Sequence, residues 1–236
     1  MTRRLILLRH GQTEYNATRR MQGHLDTQLS DLGLEQAKTA ARYLATQNIT
    51  KIVSSDLRRA QDTAMIIAEK LGLDISFDSR LRETHLGEWQ AKTHEEVDTA
   101  YPGARAFWRE NPTWAPPGGE SRIDVAQRSS QVVDEFMRHY ANWDDATVLF
   151  VSHGGTISAL TARLLNLETH HYSVFSGLGN TAWAQLIARP RSLQALTYPG
   201  ERKQTESYLE SDFLIDDEVR WYLEGWNQTA SIDRES

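Results

Sequence analysis

The chain of 236 residues contains no cysteine. That absence excludes disulfides, zinc-thiolate centres and a thiol nucleophile, and it is compatible with a cytoplasmic address. Long apolar runs are missing too. Met1-Thr2-Arg3-Arg4 opens onto only Leu5 to Leu8, well short of a signal-peptide core or a membrane span. A cytoplasmic protein with no membrane partner is therefore expected. Nor is positive charge in excess: with 26 Lys and Arg against 32 Asp and Glu, the formal net charge is -6, and no basic stripe offers a footprint for nucleic acid. A small molecule is the expected partner. Although eight histidines are present, no His-Glu-x-x-His or comparable cluster occurs, so neither a metal nor another cofactor is expected.

Hydrophobic residues make up 39% and charged residues 25% of the chain, proportions that suit a single globular domain with a full core. Leu5 to Leu8 reads as a buried strand that stops at Arg9-His10-Gly11. Ser30 stands as the cap of a helix whose Leu34, Ala37, Ala41 and Leu44 share a face. Lys51 to Ser55 reads as a second strand, followed by a helix from about Arg59 to Leu71 that Gly72 closes. Ile75 to Phe77 is a short third strand. Thr147 to Ser152 is a fourth, running into His153-Gly154-Gly155 and a helix over 156–166. This alternation predicts an α/β fold with a mostly parallel central sheet flanked by helices.

Residues 182–188 and 219–226 alternate apolar side chains and predict a C-terminal hairpin at the sheet edge. Two other stretches stand apart. Residues 93–120 hold four of the six prolines, together with Trp108 and Trp114, and read as a lid inserted in the domain. Residues 190–218 are polar and irregular. Between them, Ser121 with Asp124 predicts a capping box and a helix leading into the fourth strand.

One local echo carries the chemistry. Leu7-Leu8-Arg9-His10-Gly11 and Phe150-Val151-Ser152-His153-Gly154 are both strand-to-His-Gly turns. Ligands collect at the carboxyl ends of strands in an open parallel sheet, so these histidines share a pocket if their strands are neighbours. Ser54-Ser55 with Arg58 and Arg59 ends another strand at the same edge. Two imidazoles and several guanidiniums, without thiols or metal ligands, suit a phosphate group. A neutral imidazole is a competent nucleophile near neutral pH, and arginines that hold the phosphate also disfavour its protonation. Arg9, Arg59 and His153 are suited to stabilise the charge that spreads over the moving phosphoryl oxygens. Glu83, after the third strand, is suited to protonate the leaving oxygen and later to deprotonate water. His24, His94, His139, His170 and His171 are expected to be surface or satisfied core residues.

Arg9-His10-Gly11-Gln12-Thr13-Glu14-Tyr15-Asn16 resembles the RHG signature of the histidine phosphatase superfamily, the phosphoglycerate mutase-like proteins. Further matches follow in the same order at Leu29 to Gly33, Ser54 to Ala60, Leu81-Arg82-Glu83 through Gly87-Glu88-Trp89, and Ser152 to Gly155. The resemblance covers residues 4 to about 165. It implies that His10 is the phospho-acceptor, that Arg9, Asn16, Gln22, Arg59, His153 and Gly154 surround the phosphate, and that Glu83 is the proton donor. Arg58 becomes a neighbour outside the pocket. It also implies a metal-independent phosphomonoesterase and a homodimer.

The superfamily divides into mutases and phosphatases. Mutases commonly carry an arginine and a tyrosine just after the acidic residue and a later arginine pair. Here Thr84-His85-Leu86-Gly87 follows instead, and Arg105, Arg109 and Arg122 stand singly. Hydrolysis is the expected reaction, with phosphoglycerate mutase activity or a catalytically silent phospho-ligand binding protein as alternatives. Met21 to Thr27, Thr113 to Pro116, Gly118 to Ser121 and Gly179 to Trp183 are similar to superfamily members that hydrolyse a glucosylated 3-phosphoglycerate, which implies that substrate and glucosylglycerate as product.

Overall fold

The computed structural model describes residues 2–190 and 219–230. In chain order its elements are β1 (Arg3–Arg9), α1 (Glu14–Ala17), α2 (Asp31–Leu44), β2 (Ile49–Ser54), α3 (Arg58–Leu71), β3 (Ile75–Phe77), α4 (His94–Ala100), α5 (Ala104–Glu110), α6 (Arg122–His139), β4 (Thr147–Ser152), α7 (Gly154–Leu164), β5 (Trp183–Pro190) and β6 (Val219–Gln228). The strands form one sheet in the order β3-β2-β4-β1-β5-β6. From β3 to β1 neighbouring strands are parallel, while β5 and β6 add antiparallel beyond β1.

The apolar runs explain the centre of this sheet. Strands covered on both faces read as unbroken hydrophobic stretches, and Leu5 to Leu8 and all of β4 are buried. Successive side chains point to opposite faces. Leu5, Leu7, Val148 and Phe150 pack against Val132 and Val133 of α6 and Ile157 and Leu160 of α7. Ile6, Leu8, Leu149 and Val151 pack against Ala40, Ala41 and Leu44 of α2 and Ala60, Ala64 and Ile67 of α3. The result is three layers, with each buried aliphatic side chain contributing about 1.5–3 kcal/mol of transfer free energy.

Local signals set the helix ends. The Ser30 side chain accepts from the N–H of Gly33, Ser121 and Asp124 form the capping box of α6, and Gly72 closes α3 at φ 68°. Leu57 at the N-cap of α3 has no side-chain oxygen to offer; Asp26, from a distant loop, accepts the Arg58 N–H at 2.7 Å. Several boundaries differ from the sequence reading; β2, for example, spans Ile49–Ser54, not Lys51 to Ser55. β1 extends two residues further at its start, and α7 begins at Gly154, not Thr156. Glycine is a poor helix former, but the N–H groups of Gly155 and Thr156 are held by a carboxylate described below, which fixes the first turn.

Residues 93–120 contain α4 and α5 and pack Trp108 and Trp114 against Trp89 of the preceding turn, at 5.8 Å and 5.7 Å between ring centroids. Pro190 closes β5, and residues 191–218 of the expected irregular stretch lie outside the described residues. No helix among the described residues is long and apolar enough to cross a membrane.

Candidate active site

Because β4 lies between β1 and β2, the carboxyl ends of three parallel neighbours meet. His10 follows β1, His153 follows β4, and Ser55 to Arg59 follow β2. The ends are stitched together by His10 N–H to Ser152 O at 3.0 Å and Ser55 N–H to Val151 O at 2.9 Å. Helix α2 closes on the His10 loop with no side chain between them. A Cβ on Gly33 would lie 2.1 Å from Gln12 O, and one on Gly11 would lie 2.5 Å from Gly33 O. This contact accounts for a glycine in each of two separate sequence motifs.

The His10 ring is buried and its tautomer is determined by its partners. Nδ1 lies 2.7 Å from Gly11 O and Nε2 lies 3.2 Å from Arg59 Nε. A carbonyl only accepts and a guanidinium only donates, so Nδ1 carries the proton and Nε2 presents its lone pair. Burial, then Arg59 and then Arg9, hold the pKa of His10 well below the ordinary histidine value. His153, at 5.1 Å between ring centroids, is lowered in the same way by burial, Arg59 and His10. Its Nε2 lies 2.9 Å from Ser55 Oγ, and its Nδ1 has no partner among the described residues; the same holds for Nε of Arg9. Arg9 Nη1 donates to Leu178 O. Burial lowers the Arg59 pKa to about 10, which leaves it protonated at neutral pH.

A cleft of about 230 Å³ opens over these groups. Arg9, His10, Asn16, Gln22, Arg59 and Glu83 all line it. Gln22 Oε1 accepts from Thr27 Oγ1 at 2.6 Å and Thr13 Oγ1 at 3.0 Å, and Asn16 Oδ1 accepts from the Thr13 N–H and from Asn180 Nδ2, both at 3.1 Å. With both side-chain oxygens occupied, the amide nitrogens of Asn16 and Gln22 are the ends free to donate. His153 sits behind His10, outside the cleft lining. Gly154 also stays out of it, next to Arg9, while Gly155 enters the lining. Arg58 turns away toward Asp62 at 3.7 Å.

Glu83 lies at the N-terminus of α7. Its carboxylate accepts from the N–H of Thr84 at 2.8 Å and from those of Gly155 and Thr156, both at 3.2 Å. These N–H groups at the start of the helix fix the direction of the carboxyl group. Gly155 makes room for it, since a Cβ at that position would lie 2.5 Å from Glu83 Oε1. Among the described residues, no cluster of three His, Asp or Glu is arranged to hold a metal ion.

Several residues near the site were not singled out from sequence. Arg20 lines the cleft, as does His94, which was expected to be a surface or satisfied core residue; Trp108, named from sequence as part of the expected lid, lines it too. His24 is satisfied as expected, but its partner is the backbone of the acidic residue: Nε2 donates to Glu83 O at 2.7 Å. Asn180 Nδ2 also reaches His10 O at 3.1 Å. A polar residue just before a buried strand was the available signal for Asn180.

Comparison with known proteins identifies the family. The model of the histidine phosphatase superfamily (branch 1) matches residues 5–198. The chain is 49% identical over 234 residues to the glucosyl-3-phosphoglycerate phosphatase of Mycolicibacterium vanbaalenii, covering 98% of this chain and 96% of the relative. It is 47% identical over 235 residues to the glucosyl-3-phosphoglycerate phosphatase of Mycobacterium tuberculosis, with the same coverage of 98% and 96%. A solved mycobacterial glucosyl-3-phosphoglycerate phosphatase in complex with VO3 matches at a TM-score of 0.83 and 45% identity, over 96% of this chain and 100% of that one. With its two strand-to-histidine turns brought side by side over an arginine-lined cleft, the chain belongs to the histidine phosphatase superfamily, branch 1.

Proposed function

We propose that the protein hydrolyses glucosyl-3-phosphoglycerate to glucosylglycerate and inorganic phosphate through a phosphohistidine on His10. Nε2 of His10 attacks phosphorus in line with the ester oxygen. The N–P bond forms as the P–O bond to the leaving group breaks, and Glu83, carrying a proton in the complex with the anionic phosphate, gives it to the departing oxygen. Water, giving its proton to the same carboxylate, then attacks phosphorus; the N–P bond breaks, inorganic phosphate leaves, and neutral His10 and protonated Glu83 are restored. Arg9, Arg59, Asn16 and Gln22 donate to the equatorial oxygens, where charge accumulates in the transition state. His153, its Nε2 held by Ser55 Oγ, packs against the His10 ring and backs the nucleophile, and Gly154 starts the helical turn beside Arg9.

The observation that carries this reading is the unprotonated Nε2 of His10 facing a cationic cleft. The substrate is supported by the two similar phosphatases and by the chemistry of the outer cleft. There Arg20 and His94 lie near the exposed mouth, and Arg105, Arg109 and Arg19 lower the pKa of His94, after burial. Such a field suits the carboxylate of a glycerate. Trp108, held by the Arg122 guanidinium at 5.1 Å from its ring centre, and Leu86 offer an apolar wall to a sugar ring. In this reading residues 93–120 act as a lid over the leaving group within a single domain.

The enzyme is also read as a cytoplasmic homodimer. The absence of cysteine supports the first, and an outer edge of β6 with no strand partner among the described residues supports the second. Light scattering of the purified protein tests the assembly. The activity is tested by phosphate release in EDTA from glucosyl-3-phosphoglycerate, 3-phosphoglycerate and 4-nitrophenyl phosphate. A kcat/KM at least about tenfold higher for the glucosyl compound is expected. Isomerisation of 3-phosphoglycerate without phosphate release would contradict the hydrolase.

A further inference from the structure

The segment from Arg80 to Glu83 leaves the sheet after β3, so its backbone carbonyls have no ladder to satisfy them. Side chains take that place. Leu81 O accepts from Ser152 Oγ at 2.8 Å, Arg82 O from Thr156 Oγ1 at 2.7 Å, and Glu83 O from His24 Nε2 at 2.7 Å. One further residue serves three of these carbonyls. Arg128, on α6, donates from Nη1 to Arg80 O at 2.6 Å and Arg82 O at 2.8 Å, and from Nη2 to Glu83 O at 2.9 Å.

Its other donors go to one carboxylate. Nε meets Glu120 Oε1 and Nη2 meets Glu120 Oε2, both at 2.9 Å. These five bonds use every N–H of the guanidinium. Glu120 extends the clamp, because its Oε2 accepts the His85 N–H at 2.8 Å and its own N–H donates to His85 O at 2.8 Å. The backbone on both sides of Glu83 is thereby fixed from α6 and from the loop before it. Arg128 itself does not line the cleft.

We propose that Arg128, oriented by Glu120, is a positioning residue for Glu83. It holds the main chain from which the carboxyl group reaches the leaving oxygen, and so sets the rate of proton delivery without touching the substrate. The proposal rests on the reading of Glu83 as proton donor. Proton transfer is sensitive to placement, with a displacement of about 1 Å costing on the order of a hundredfold in rate. Lysine cannot substitute, since an ammonium lacks the planar fork that spans three carbonyls and a carboxylate.

The test compares single-turnover transfer of phosphate to the enzyme from an alkyl ester, 3-phosphoglycerate or its glucoside, and from 4-nitrophenyl phosphate, whose leaving group departs without a proton. Arg128→Ala is expected to slow transfer from the alkyl ester about 10- to 100-fold, with substrate affinity changed less than about threefold and the nitrophenol burst spared. Added to Glu83→Gln, it is expected to cause no further loss on the alkyl ester. Arg128→Lys should not rescue the rate, and Glu120→Gln should fall between. If Arg128→Ala does not fold, as judged by its melting curve, Arg128→Lys carries the same comparison.

Equal losses on both esters, or a full additional loss in the Glu83→Gln background, would make Arg128 a structural residue and overturn the proposal. An unchanged alkyl-ester rate in Glu83→Gln alone would instead overturn the donor reading on which the proposal rests.

Discussion

Arg59 donates its Nε–H to Nε2 of His10 at 3.2 Å, while Nη1 and Nη2 of the same guanidinium donate to Leu25 O and Gly23 O, both at 2.8 Å. One side chain therefore couples the lone pair of the imidazole to the loop that carries Gln22 into the cleft. Arg59→Ala is expected to lower kcat/KM by about 10²–10³, and Arg59→Lys to recover little of it, because an ammonium cannot reproduce three directed donors. Initial rates with the alkyl ester measure this. A loss under about threefold would show that Arg59 is not a principal phosphate ligand.

Adjacent glycines at the start of α7 make a sharper pair. A Cβ on Gly155 would lie 2.5 Å from Glu83 Oε1, whereas a Cβ on Gly154 would meet nothing nearer than Arg9 Nε at 3.6 Å, an ordinary contact. Gly155→Ala is expected to displace the carboxylate and reduce kcat on alkyl esters about 10- to 100-fold with a near-unchanged melting temperature. Gly154→Ala should retain most activity. Equal effects from the two substitutions would contradict the assignment of the acid to Glu83.

Acid sensitivity follows from the two buried imidazoles. Burial and the neighbouring cations hold His10 and His153 well below the ordinary histidine pKa in the folded chain. The unfolded chain therefore takes up protons that the folded one refuses. Their contribution to stability is fully present above about pH 6.5 and is lost as pH falls toward the folded values, with a limiting slope of about 1.4 kcal/mol per pH unit for each ring. Denaturant unfolding between about pH 7.5 and 5.5 should show this decline, and His153→Gln should flatten it. A wild-type profile that is level across the range would contradict neutral, buried histidines.

The outer cleft should govern which ester is used. Arg20→Ala and His94→Ala are expected to raise KM for glucosyl-3-phosphoglycerate about 5- to 50-fold while changing KM for 4-nitrophenyl phosphate less than about twofold. Trp108→Ala should weaken the glucosyl compound more than 3-phosphoglycerate. Uniform effects on all three esters would remove these residues from substrate recognition.

Much of this arrangement was legible in the sequence because its signals are local. The unbroken runs of Leu5 to Leu8 and of β4, the caps Ser30, Ser121 and Gly72, and the two strand-to-His-Gly turns each encode their structure within a few residues. Helix α1, four residues long, is too short to show a period, and it is held by Thr13 and Asn16 in a capping box. The clamp on Glu83 was not legible. Arg128 meets carbonyls 45 to 48 positions away in the chain, and no spacing rule links them. The one signal was a charge between Val125 and Val132, on a stripe of α6 that helical periodicity leads one to expect to be apolar.

The most direct test is acid-free quenching of the enzyme during turnover of glucosyl-3-phosphoglycerate, followed by mass spectrometry and phosphorus NMR of the trapped protein. The account predicts one phosphoryl group on Nε2 of His10, absent from His10→Ala. Phosphate on Nδ1, on another residue, or on no residue while turnover continues would contradict it.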